Sequence, residues 1–163
     1  AANYPGSLTK GTPYLNTGDL VMQAGRPLLI VPPTAVRLTA RNILVAWKDT
    51  REARRAVSDA MPMLQAAERT IVVEITREKD MAEANESVRD VVDWLKEHAV
   101  KAEGMAVAEH GLNAPQLDAI IKTQEADLVV AGAYHHRRFR EWALGGVTRN
   151  LLLSGELPVL VSH

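Results

Sequence analysis

Cysteine is absent from all 163 residues, which excludes disulfides, thiolate nucleophiles and cysteine-based metal centres. No apolar run approaches the roughly 18 residues that a membrane span requires. The opening AANYPGSLTKGTPY lacks the basic start and apolar core of a secretion signal. Neither sign of charge is in excess: 19 Lys and Arg stand against 20 Asp and Glu, which gives no sign of a nucleic-acid or membrane-surface protein. Ser58, Ser87, Ser154 and Ser162 lack the G-x-S-x-G context of an acyl-transfer nucleophile. His110 beside Glu109 and the His135-His136 pair lack H-x3-H or H-E-x2-H spacing, so no metal site is assigned. An enzyme such as a transferase would need an acid, base or metal set, and none is found, so no catalytic residue is assigned. The expectation is a cytoplasmic protein with neither nucleic acid nor membrane as partner.

The composition that remains, 47% apolar and 24% charged, suits one soluble domain with a full core. Residues 1–17 read as loop. Thr17-Gly18-Asp19 starts a short helix with Leu20, Val21 and Ala24 on its apolar side, and Gly25 ends it. Leu28 to Val31 then form a strand-like run closed by Pro32-Pro33. From Asn42 the pattern becomes regular. Ile43 to Trp47 reads as a buried strand, and Thr50 as the N-cap of a helix with Glu52 in its first turn. Val57, Ala60, Met61 and Leu64 share one face of that helix, which Pro62 is expected to kink or end early. A strand over 70–75, a helix over about 82–99, a weaker strand over 103–108 and a helix from Asn113 follow. Asn113 and Gln116 stand at capping-box spacing. The alternation implies an α/β fold with parallel strands and helices on both faces.

The stretch from Asp127 to His163 organises the rest. Leu128 to Ala131 run into Gly132, a basic loop covers His135 to Arg140, and Gly145-Gly146-Val147-Thr148 open a helix. Gly155 caps that helix, Pro158 stops it, and Val159-Leu160-Val161 form a last strand. A strand, a glycine-containing loop and a helix N-terminus make a place for an anion, although the same glycines can serve only to turn the chain. Lys48, His135, His136, Arg137, Arg138 and Arg140 are expected either to ring the carboxyl ends of the strands with positive charge or to be solvated loop charge. Trp47 and Trp142 flank this place, either to stack on a base or to pack against helices.

The start of the chain echoes its end: TGDLVMQAGRPLLIVP matches GGVTRNLLLSGELPVLVS, each a helix, a glycine, a proline and an apolar strand. A shift of roughly 131 residues puts Ala1 against Gly132, as in tandem copies of one domain. Residues 1–34 then read as the tail of a preceding domain and 41–163 as a complete one. The orphan strand needs a sheet edge for its N–H and C=O groups. Its expected host is the last strand, with Leu28, Leu29 and Ile30 antiparallel to Val159, Leu160 and Val161.

On these residues the chain resembles the universal stress protein family. The family's nucleotide-loop pattern is G-x2-G-x9-G-[ST]. Here Gly132 is the first glycine, His135 stands at the second, Gly145 is the third and Gly146 takes the Ser/Thr position. The resemblance implies a five-stranded parallel sheet in the order 3-2-1-4-5. It also implies pairing of last-strand edges between domains or in a homodimer, and a stress-response role in a bacterial cytoplasm. In nucleotide-binding members an Asp ends the first strand; here the run is Ala46-Trp47-Lys48-Asp49-Thr50, with Lys48 in the Asp position. The expectation is therefore a stress-response module with a degenerate nucleotide loop that acts mainly by binding and pairing. The alternative is ATP, with Mg, or another anion held with slow or no hydrolysis by Ala46, Lys48, Asp49, Gly132, His135, Arg138, Gly145, Gly146, Val147 and Thr148.

Overall fold

Among the described residues, three strand-and-helix alternations around short apolar runs produce a layered α/β structure. The structure, a computed structural model, describes residues 20–21, 23–111, 113–133 and 157–163. Six strands, β1 (Leu28–Ile30), β2 (Asn42–Ala46), β3 (Arg69–Thr76), β4 (Ala102–Ala108), β5 (Leu128–Gly132) and β6 (Val159–Ser162), form one sheet in the order β1-β6-β5-β2-β3-β4. The strands β2 to β6 run parallel, and β1 lies antiparallel on β6, with Leu28 opposite Val161, Leu29 opposite Leu160 and Ile30 opposite Val159. The expectation of a five-stranded parallel sheet is thereby corrected to six strands in a mixed sheet. The physical reason is the one that makes any bare edge costly: the backbone groups of β1 and of the β6 edge satisfy each other.

Parity along the strands decides which helix each side chain meets. Ile43, Val45 and Trp47, with Val72, Leu128 and Val130, face helices α1 (Arg51–Ala66) and α2 (Met81–Glu97). Leu44, Ile71, Val73, Val129 and Ala131 face helix α3 (Asn113–Thr123) through Leu117 and Ile121. Val21, Val159 and Val161 join this second core. Leu44, Ile71, Leu64 and Leu95 are each fully buried, and burying one such side chain stabilises by about 1.5–3 kcal/mol.

Thr50 caps α1 as its sequence suggests, its hydroxyl accepting from the Ala53 N–H at 3.2 Å. Pro62 does not end the helix, which continues to Ala66. The proline removes one N–H from the ladder, while Ala60 and Leu64, both fully buried, hold the helix to the core on either side of it. Gln116 works differently from a capping-box residue: it accepts from the His110 N–H at 2.9 Å and donates to the Ala108 carbonyl at 2.8 Å. It ties the end of β4 to α3. Asp127, just before β5, accepts from the N–H groups of Arg41 and Asn42 and from the Thr39 hydroxyl, which sets the entry to β2 beside the entry to β5.

Candidate functional site

The carboxyl ends of β2 and β5 are neighbours, because Ala46 pairs with Ala131. In a parallel sheet whose strand order reverses between two such strands, the crevice above their ends is the expected ligand site. Ala46 closes β2, Lys48 and Asp49 follow in the exposed loop to α1, and Gly132 closes β5. Of the expected site these four residues are brought together. His135, Arg138, Gly145, Gly146, Val147 and Thr148 lie outside the described residues, as do His136, Arg137, Arg140, Trp142 and the last helix. The six pairing residues Leu28, Leu29, Ile30, Val159, Leu160 and Val161 form the β1–β6 ladder described above.

Gly132 is approached by the chain's own backbone. A Cβ there would lie 2.5 Å from the Ala53 nitrogen and 2.7 Å from the Glu52 carbonyl carbon, so the first turn of α1 occupies the space that a side chain would need. Asp49 does not stand free to meet a ligand: its carboxylate takes a two-pronged contact from the Arg54 guanidinium, at 2.6 Å to Nε and 2.7 Å to Nη2. Trp47, one of the two tryptophans placed beside the site, is buried among α1 and α2, and its indole Nε1 donates to the Ser87 hydroxyl at 2.9 Å. Packing against the helices thus takes up most of its surface.

Of the residues expected to ring the strand ends with positive charge, Lys48 alone lies among the described residues, and its neighbours there are mostly acidic. Among the described residues Lys48 and Arg77 are the cations lining a cleft of about 450 Å³ there, against the carboxylates of Asp49, Glu74, Asp80, Glu83, Glu86 and Asp90. Arg77 is paired with Asp80 at 2.7 Å. No group of His, Asp or Glu among the described residues is arranged to hold a metal ion.

Glu74 is the residue that sequence reasoning missed. It sits on β3, on the face turned to α1 and α2, only 7% exposed, and its Oε2 has no hydrogen-bond partner. Burial pushes its carboxyl above the usual carboxylate range; Lys48 opposes the shift, and Asp49 and Glu83 add to it. The signal was present as a lone acid inside the apolar run TIVVEIT. A raised folded-state value means that the folded protein holds this proton more tightly than the unfolded chain does. That contribution is complete below the ordinary carboxylate range and is lost as pH rises through the raised value. Glu74→Gln is therefore expected to stabilise the ligand-free protein by about 1 kcal/mol at about pH 8 and hardly at all at about pH 4. Urea unfolding midpoints at the two pH values check this; an equal shift at both would refute it.

The family model described as "Universal stress protein family" matches residues 39–163. No curated protein sequence matches the chain. Among solved structures, the chain is similar to universal stress protein UspA from Lactobacillus plantarum, with a TM-score of 0.65 at 17% identity, covering 79% of this chain and 100% of that one. It is similar to the universal stress protein from Archaeoglobus fulgidus in complex with dAMP, with a TM-score of 0.59 at 18% identity over 77% of this chain and 98% of that one. A universal stress protein in complex with cAMP gives a TM-score of 0.60 at 22% identity over 76% and 96% of the two chains.

Proposed function

The chain belongs to the universal stress protein family, and on that premise we propose that it is a stress-response module that works by binding and strand-edge pairing, with little or no catalysis. One observation carries the reading: the β6 edge is already taken, within the chain, by antiparallel β1 in the register Leu28–Val161 to Ile30–Val159. Residues 1–34 then belong to the tail of a preceding domain, whose strand β1 docks on the complete domain over 41–163. Domain pairing inside one chain stands in for a homodimer through that edge. Support for a weakened nucleotide site comes from Lys48 in place of the expected Asp and from Asp49 being held by Arg54. The setting proposed is the cytoplasm, with neither nucleic acid nor membrane as partner.

A second reading is nucleotide binding at the strand ends without appreciable hydrolysis, favoured by the relatives whose structures hold dAMP and cAMP. The experiment that separates the two is a melting-temperature titration with Mg-ATP, AMP and cAMP, preceded by mass analysis of whatever co-purifies. The first reading expects no bound nucleotide and no saturable rise. A saturable rise of several degrees, as mass action demands of a ligand that binds only the folded state, would overturn it in favour of the second. Gly132, Gly145 and Gly146 would then be the residues to replace.

A further inference from the structure

The acidic cleft at the end of β3 does not stand alone. It shares Asp49, Ser87 and Asp90 with a second, half-open cleft of about 350 Å³ between α1 and α2, whose walls include Trp47, Val57, Val91 and Trp94. We propose that the joined clefts bind a small organic cation with an apolar body, a primary amine carried on an aryl or alkyl group. The ammonium meets Glu74, and the apolar body lies along Trp47 and Trp94. This site is on the α1–α2 side of the sheet and shares Lys48 and Asp49 with the candidate nucleotide site.

Three observations converge on that chemistry. The first is Glu74 itself, nine-tenths buried, lining the cleft with an oxygen that no donor satisfies; such a group is costly unless a donor or a cation arrives. The second is the charge balance around it. Asp49 is held by Arg54 and Asp80 by Arg77, which leaves Glu74, Glu83, Glu86 and Asp90 facing Lys48 as the remaining cation among the described residues that line the cleft. An anion is repelled there, and a cation is drawn in. The third is the wall. Trp94 keeps 38% of its surface exposed while its ring packs at 4.2 Å on His98, and the buried Trp47 is anchored by its bond to Ser87. Aromatic faces next to carboxylates favour an organic cation by cation–π attraction as well as by apolar burial.

The alternatives fit less of this. A divalent metal needs several oxygen ligands converging on one point, and the described carboxylates do not converge so. A bare diamine would leave the tryptophan wall without a partner.

The test is calorimetric titration of the full chain at low salt with 2-phenylethylamine. 2-Phenylethanol, with the same body and no charge, putrescine, with charge and no body, and Mg²⁺ serve as comparison probes. Saturable binding of the amine is expected, with the alcohol and putrescine each at least tenfold weaker. Glu74→Gln, a variant expected to be more stable than the parent, should lower amine affinity at least tenfold. Trp94→Ala, a change at a partly exposed site, should weaken the amine severalfold and leave putrescine unchanged. No saturation with the amine, equal binding of amine and alcohol, undiminished binding by Glu74→Gln, or putrescine or Mg²⁺ binding as tightly as the amine would each overturn the proposal.

Discussion

Gly132→Ala should lower the stability of the protein by about 3 kcal/mol, the upper end of what a single added methyl group costs in a packed interior. The reason lies in what the methyl group would meet. The nearest atoms are backbone, Ala53 N at 2.5 Å, the Glu52 carbonyl carbon at 2.7 Å and Ala53 Cα at 2.9 Å, and backbone in a capped helical turn cannot swing aside as a side chain can. Relief requires α1 to move off β5, which strains the Thr50 cap and the Lys48–Asp49 loop. Gly104 supplies the comparison: a Cβ there meets Val88 Cγ1 at 2.5 Å and Val92 Cγ2 at 2.8 Å, both side-chain atoms of α2. Gly104→Ala is expected to cost less, about 1–2 kcal/mol, because the closest atoms are side-chain methyls and not backbone; helical valines are stiff, so relief comes from a small shift of α2 away from β4. Urea unfolding of the two variants decides the matter. If Gly104→Ala proves the more damaging, the tight seating of α1 on β5 is not what fixes a glycine at position 132. The result also bears on function: a Gly132 that is demanded by the helix would be needed whether or not a nucleotide is ever bound.

This double duty explains which parts of the molecule could be read from sequence. The strands were legible because doubly buried parallel strands must be short continuous apolar runs, as ILVA and LVVA are. Helix α1 was legible from Thr50 and from the spacing of Val57, Ala60 and Leu64, although Pro62 suggested a break that the buried residues around it override. The site was less legible. A spacing pattern marks where glycines fall, but it does not say whether ligand or protein occupies the space beside them, and at Gly132 the occupant is Ala53. Partners distant in sequence were also hidden. Nothing in the spacing of the acidic residues from Asp80 to Asp90 shows that Glu74, carried on a different element, lies buried beside them. Asp49 stood among the candidate ligand residues, whereas Arg54, one helical turn into α1, takes it up.

The largest expected change in behaviour comes from removing β1 from the edge of β6. Replacing Leu29 and Ile30 together by proline should convert the protein into a self-associating species whose mass by light scattering rises at least twofold with concentration. Neighbouring residues of an antiparallel strand alternate between bonding to the partner strand and facing away from it. Two adjacent prolines therefore remove a ladder donor whichever residue bonds to β6. The strand is only three residues long, Leu29 is 42% exposed, and Leu28 and Ile30 pack half-buried on the margin of the second core, so the loss of β1 removes only that margin and should leave the sheet from β2 to β6 folded. What it would uncover is different in kind: a row of unpaired backbone groups on β6, whose Val159, Leu160 and Val161 are all buried. Such an edge is a template for another strand, and a second copy of β6 is the nearest available one. The paired alanine variant, Leu29→Ala with Ile30→Ala, keeps both N–H groups and should retain the mass of the parent chain. Equal masses for the proline and alanine variants at every concentration, with unchanged melting, would show that β1 does not guard the edge. The pairing half of the proposed function would fall with it.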